Sequence, residues 1–426
     1  MNSNAVKVIL ASLIFGFLLF LPSISSLGKK YSHLAVKEKK HADTTLLIVN
    51  KPAVPVNRNL KGTVFGYLPS WKYPEAVKNI KYRLLSHLAV FDFAADRDGN
   101  IKNPDMWPWK DVIDSAHTNG VKVIMTVLNS DSLQIHNILS NSKARQRSFQ
   151  NIRSTLVEFG LDGVNIDFEN LKRADRNEAI IGYMRDLTAY IHREFPAYEV
   201  SFAGPAVNWG GWNFKGLSEA CDYIFIMGYE YFDNRSNIAG PPASLNGTYY
   251  SIESTLLSTV FGYGDVTSTT PQKLILGLPY YGNHWVTETG NPQAVSIRYV
   301  EAPTYNALML EAEKNRYKKF WDKYNSVPWI RYQKDNEWHQ VWFEDQRSLG
   351  IKYDYAISKN LRGIGIWALG YDGKRKELWK EIEKRFIFND NSAPFVALPF
   401  EEKGKIFDYK DILPKWLKSP ILKKGA

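Results

Sequence analysis

One cysteine in 426 residues, Cys221, leaves the chain without any intrachain disulfide, so its fold must hold with no covalent staple. That cysteine lies in the apolar run CDYIFIM, the setting of a buried and inert thiol. The eight histidines show no HExxH or comparable spacing, so neither a metal nor another cofactor is expected. No GxSxG elbow and no GxxxxGK[ST] loop occurs, which sets aside the chemistries those turns support. Low-complexity tracts are missing, and nothing resembles a nucleic-acid module despite a net charge of +10. Much of that excess sits near the ends, at Lys29, Lys30, Lys37, Lys39 and Lys40 and at Lys415, Lys418, Lys423 and Lys424. It reads as solubility or a weak surface preference.

A long hydrophobic run is also lacking. Val8 to Leu21, preceded by Lys7, falls short of the roughly 20 apolar residues of a membrane span. The small, polar stretch PSISSLG follows, so residues 1–28 have the shape of a secretory signal with cleavage after Gly28. An uncleaved anchor, tethering the protein to a membrane, is the alternative. No cysteine follows the run, which excludes a lipid-modified N-terminus. The expected location is therefore secreted or cell envelope. Residues 29–60 are polar and basic with Pro52 and Pro55, a linker, and residues 386–426 form a Pro-interrupted tail.

What the chain does have is aromatic residues, 14% of the total with 13 Trp. It also has rhythm. From Gly62 onward eight apolar, β-rich runs recur: TVFGYLPSW, LLSHLAVFDFAAD, VKVIMTVLNS, LDGVNIDFEN, YEVSFAGPAVNW, CDYIFIMGYEYF, KLILGLPYYGNHW and LRGIGIWALGYDG. Helical spacing separates several of them, as at Ile180, Tyr183, Met184, Leu187 and Ile191. Eight such units predict an α/β fold, a (β/α)8 TIM barrel over residues 61–385. A doubly wound sheet predicts a glycine-rich turn after the first strand, and YLPSW is not one. The interval from Tyr281 to Leu361 is too long for a barrel loop. Its helical pattern ALMLEAEKNRYKKF and its hairpin pattern PWIRYQ–KDN–EWHQVWF predict a small α/β insertion between strands 7 and 8, at about residues 285–345.

The segment DGVNIDFE, Asp162 to Glu169, concentrates the chemistry. Strand alternation puts Val164, Ile166 and Phe168 on one face and Asn165, Asp167 and Glu169 on the other, toward the barrel interior. Three inward polar groups are costly unless hydrogen-bonded or functional, and they stand at the strand end where barrel enzymes work. Asp167 and Glu169 are spaced ~7 Å along the strand, close enough for one to keep its proton and act as an acid. A polar core network without a catalytic role accounts for the same spacing.

DGVNIDFE resembles the DxxDxDxE signature of glycoside hydrolase family 18, the chitinase family. FGYLPSW, MGYEYF, LGLPYYG and GIGIWALGYD resemble other family segments in the family's order, over residues 62 to 385. The resemblance implies that Glu169 protonates the glycosidic oxygen and that Asp167 steers the substrate's acetamido group. It implies that Tyr229 hydrogen-bonds the acetamido carbonyl, with Met227 nearby, and that Trp367 floors the site. Trp367 shares a face with Gly363 and Gly365, which are expected to leave room above it. Tyr67 is a further expected contact to this network, and Trp71, Trp209, Trp212 and Trp285 follow strand ends where they could stack on sugars or simply pack.

Two positions depart from the family pattern. Asn165 replaces the signature's middle Asp, and Glu230 replaces the Asp after the sixth-strand Tyr; both are counted among the substrate-binding residues. Together with DRNEAIIGYMRDL they resemble the branch acting on bacterial wall and spore-cortex peptidoglycan. The expected partner is a polysaccharide containing N-acetylglucosamine: chitin, chitooligosaccharides or peptidoglycan. The expected function is retaining, substrate-assisted hydrolysis. A catalytically weak lectin of the same glycans is the alternative, and turnover separates the two.

Overall fold

The structure, a computed structural model, describes residues 60–247 and 250–388. The expected signal, nearly all of the linker and nearly all of the tail lie outside the described residues.

Eight parallel strands close on themselves: Thr63–Pro69, His87–Ala95, Lys122–Asn129, Gly163–Phe168, Glu199–Pro205, Tyr223–Met227, Leu274–Pro279 and Gly363–Trp367. Each of the eight apolar runs supplies one of them, numbered here first to eighth. Closure is made by the first strand, which pairs with the eighth at Thr63 and Gly363 and with the second at Phe65 and His87. A Cβ on Gly363 would lie 1.9 Å from the carbonyl oxygen of Thr63, so this seam admits only glycine. The fold is a (β/α)8 TIM barrel, with α-helices following every strand except the first, which returns through short 3-10 turns.

The connections fold for local reasons. Asn141 caps helix Ser142–Phe159 by accepting from the amides of Lys143 and Ala144, and Gly160 ends it at φ 64°. The chain then enters the fourth strand through Asp162, whose carboxylate accepts from the amide of Val123 at 2.8 Å and meets His117 Nε2 at 2.7 Å. The first Asp of the signature is thus a splice between elements. Helix Glu178–His192 buries Ile180, Tyr183, Met184, Leu187 and Ile191, and Phe168 meets Tyr183 there at 5.6 Å.

At the barrel's entry end the interior is ionic. Glu199 accepts from Lys122 Nζ at 2.6 Å, His87 Nε2 at 2.8 Å and Tyr223 at 3.1 Å, with Arg362 at 3.4 Å. Above it the filling is aromatic, Phe65 and Phe225 lying 5.4 Å apart and Tyr67 4.8 Å from Phe225. This corrects the reading of Gly363 and Gly365. A Cβ on Gly365 would lie 2.0 Å from the Phe225 ring, so the space left by that glycine is filled by Phe225.

Between the seventh and eighth strands stands a five-stranded antiparallel sheet, Gly282–Thr287, Ser296–Glu301, Lys319–Asp322, Val327–Lys334 and Glu337–Phe343, with helix Tyr305–Asn315. Its central hairpin pairs Lys334 with Glu337, and Asp335 and Asn336 turn at φ 54° and 62°, the backbone a two-residue hairpin needs. The pattern ALMLEAEKNRYKKF is helical only to Asn315. Arg316 takes φ 54°, and Lys319–Asp322 pairs as an edge strand instead.

Trp285 does not stack on a sugar. It is fully buried in this second sheet, packed with Phe232, Val327, Trp329 and Trp342, and no face of its ring reaches solvent. At the other end of the barrel domain Leu60 bridges Ile387, and the amide of Lys61 donates to the carbonyl of Phe386 at 2.8 Å.

Candidate active site

The fourth strand carries three polar side chains up the barrel interior. Asn165 is completely buried, Asp167 is 4% exposed, and Glu169 at the rim is half-buried. Glu169 still extends the ladder, donating its amide to the carbonyl of Asn129 at 2.9 Å. Asn170 then turns at φ 54°, a left-handed conformation that asparagine tolerates, and ends the strand with the Glu169 side chain at the mouth. Asn129 itself ties the neighbouring strand tops together, donating to the carbonyl of Ala95 and accepting from the amide of Asp131.

Below the rim, the hydroxyl of Tyr67 donates to Asn165 Oδ1 at 2.7 Å, and Asn165 Nδ2 donates to Ser201 Oγ at 2.9 Å. Both ends of the amide are used. Asp167 is different: its Oδ1 is buried and finds no hydrogen-bond partner among the described residues. Burial pushes the Asp167 carboxyl well above its ordinary range, and the charges of Glu169 and then Asp92 push it further. Burial also raises Glu169. Carboxyls this close titrate as a pair, and the pair keeps a proton to higher pH than either would alone. Tyr67 and Tyr229 are raised by burial and by nearby negative charge, so both phenols remain hydrogen-bond donors.

The sixth strand ends in a tight return, with the amide of Tyr229 donating to the carbonyl of Met227 at 2.7 Å. Tyr229 is buried, Met227 half-buried, and Glu230 exposed at φ 63°. The protein around Glu230, and then Glu169 and Asp233, push its carboxyl up, so it shares Glu169's electrostatic neighbourhood. Trp367 is half-buried and boxed edge-on by Phe91 at 4.8 Å, Tyr67 at 5.5 Å and Trp71 at 6.4 Å.

The expected residues Tyr67, Asn165, Asp167, Glu169, Tyr229, Glu230 and Trp367 therefore gather at one end of the barrel through direct contacts or shared charge, and Met227 adjoins them. Trp285 does not join them. Trp71 and Trp209 stand out at 56% and 64% exposure, whereas Trp212 packs on Phe202 and Phe214. Sequence reading missed Phe91, Asp92 and Ser201. Ser201 follows from the interior alternation of the fifth strand, but nothing in the second strand's apolar run singles out Phe91 or Asp92.

Residues 63–372 match the glycosyl hydrolases family 18. The chain is 24% identical to human di-N-acetylchitobiase over 306 residues, 64% of this chain and 75% of that protein. It is 28% identical to the cortical fragment-lytic enzyme of Bacillus subtilis over 302 residues, covering 67% of this chain and 65% of that one. The spore cortex-lytic enzyme SleL of Bacillus cereus superposes with a TM-score of 0.63 at 22% identity, over 76% of this chain and 74% of that structure. A family 18 chitinase of Cycas revoluta in complex with (GlcNAc)3 gives 0.68 at 19% identity, over 76% and 99%.

Proposed function

We propose, for a chain that belongs to glycosyl hydrolase family 18, retaining cleavage of β-linked N-acetylglucosamine glycans with Glu169 as general acid and base. The observation that carries this reading is the unpartnered, buried Oδ1 of Asp167, set between the rim acid and the Tyr67–Asn165 pair. A buried acceptor with no protein partner calls for a donor from water or a ligand. An acetamido N–H is such a donor, and Tyr229 supplies the hydroxyl for its carbonyl.

The steps then follow. Glu169 gives its proton to the glycosidic oxygen as the C1–O bond breaks, and the substrate's own acetamido oxygen bonds to C1. The ring that closes carries positive charge, which the Asp167 carboxylate balances. Glu169, now a carboxylate, takes a proton from water as the water attacks C1 and reopens the ring, restoring the acetamido group and the β-configuration. Asp167 lies on the same strand and face as Glu169, on the acid's side of the scissile bond, so it balances charge and does not attack.

Relatives named di-N-acetylchitobiase and cortical fragment-lytic enzyme support chitooligosaccharides and peptidoglycan as the substrate classes. The apolar run Val8 to Leu21 supports export to the envelope or beyond. Product analysis by mass spectrometry on chitooligosaccharides and on purified peptidoglycan tests the reading. Release of fragments ending in reducing N-acetylglucosamine is expected. Binding of both glycans without any release would assign a lectin instead.

A further inference from the structure

The fourth strand lacks the middle carboxylate of its signature, and the second strand holds one that no motif assigns. Val90 pairs with Met125 and Phe93 with Val127, so Phe91 and Asp92 together oppose the single residue Thr126, a β-bulge. The bulge changes which side chains face the barrel. His87 points inward to Glu199, and Phe91 points inward to Trp367 and Tyr67. Strict alternation would bring Phe93 inward next and send Asp92 to the helix layer. Instead Phe93 packs outward on Trp107, which also meets Trp109 and Phe159. The extra residue leaves Asp92 on the mouth side, half-buried, where Ser70 Oγ on the first strand's exit donates to its Oδ1 at 3.4 Å.

We propose that Asp92 is a positioning residue for Asp167, supplying from the second strand the negative charge that Asn165 withholds from the fourth. This rests on the function proposed above. Asp167 is faced by Glu169 on its own strand, Asp92 from the second, Tyr67 from the first and Tyr229 after the sixth, with Glu230 beyond Tyr229. The two phenols are neutral donors, so the carboxyl groups that face Asp167 are those of Glu169 and Asp92.

The test reads Asp167 directly. Carboxyl 13C NMR titration of the whole protein, with Asp167 assigned by Asp167→Asn, is run on wild type, Asp92→Asn, Asp92→Glu and the Asp92→Asn/Asn165→Asp exchange. The Asp167 midpoint should fall by about half a pH unit or more in Asp92→Asn, the scale of one close charge removed. It should stay near wild type in Asp92→Glu and recover in the exchange variant. The pH–rate curve on a chromogenic chitooligosaccharide should move to lower pH in step. An unchanged Asp167 midpoint in folded Asp92→Asn overturns the proposal. Should that variant not fold, Ser70→Ala, which releases Asp92, must shift the midpoint, and no shift overturns it equally. Because the titration needs no turnover, an inactive wild type would sink the hydrolase reading without touching this measurement.

Discussion

The hydroxyl of Tyr67 donates to Asn165 Oδ1 across 2.7 Å, linking the first strand to the fourth through the barrel interior. With Ser201 accepting from the other end of the amide, Asn165 is held in one orientation. Asp167, two residues on, has one oxygen left for something that is not protein. Asn165 is thus satisfied at both ends, whereas Asp167 above it keeps an acceptor without a protein partner.

Replacing Glu169, the proposed acid, is the first test of that arrangement. Glu169→Gln keeps the shape and the half-buried rim position but has no proton to give. Cleavage of an unactivated glycoside should fall by at least ~10²-fold, the usual contribution of a general acid. Near-normal turnover by a folded variant removes Glu169 from the role.

The acetamido mechanism makes its own demand. Cellotetraose, which has no acetamido group, should not be cleaved, while a thiazoline mimic of the closed ring should inhibit competitively. Tyr229→Phe should weaken that inhibitor by about 1–3 kcal/mol, the cost of a buried hydrogen bond lost. A covalent sugar ester trapped on any Asp or Glu would falsify the substrate-assisted route.

Asp167 also makes a prediction about stability. Its folded pKa is raised, so the native state pays nothing for it in acid, where the carboxyl is protonated folded or unfolded. As pH rises past the ordinary value of 3.8 the unfolded chain ionises first, and native stability declines relative to it. Asp167→Asn removes the penalty. Its Tm should exceed wild type by about 1–3 °C at neutral pH, and the gain should vanish on acidification to pH about 4. Scanning calorimetry across that range checks the sign. Activity should be lost at every pH.

Glu199 should behave in the opposite sense. Its partners His87 and Lys122 hold the carboxyl below the ordinary 4.5 against a burial cost that alone would raise it. The contribution is therefore present above pH about 4.5 and is lost as pH falls through the depressed value. Glu199→Gln leaves the buried His87 and the half-buried Lys122 and Arg362 without their counter-charge and should cost about 3 kcal/mol near neutrality. Urea denaturation should show this gap narrowing in acid, with turnover per folded molecule little changed.

Trp285→Ala separates core from cleft. The ring is fully buried in the second sheet, so its removal should cost about 3–5 kcal/mol through the cavity it leaves. KM of the folded remainder should hold. A large rise in KM without loss of stability would return Trp285 to the sugar.

The barrel strands are legible in the sequence because each is a short β-rich run bounded by turns, and because a strand sheltered on both faces tolerates little else. Asn165, Asp167 and Glu169 are legible for the same reason, as polar residues on an alternation that should be apolar. The insertion's hairpin is announced by KDN. Its helix is overread: Arg316 to Phe320 has helical composition, but pairing of Lys319–Asp322 with Val327–Lys334 outweighs so weak a local preference. Trp285 misleads because a tryptophan after a barrel strand looks the same whether the next element is a loop or a second sheet. The second-strand bulge is invisible because alternation in FDFAA reads equally well in either register. Only the pairing of Phe93 with Val127 shows which way Asp92 turns.

The Leu60–Ile387 bridge fixes where the barrel hands over to the rest of the chain. Leu60 and Ile387 lie together at the pole where the strands begin, and Glu169 stands at the pole where they end. A label or tether joined to the chain at Leu60 or Ile387 therefore attaches at the pole opposite Glu169 and leaves that end of the barrel uncovered.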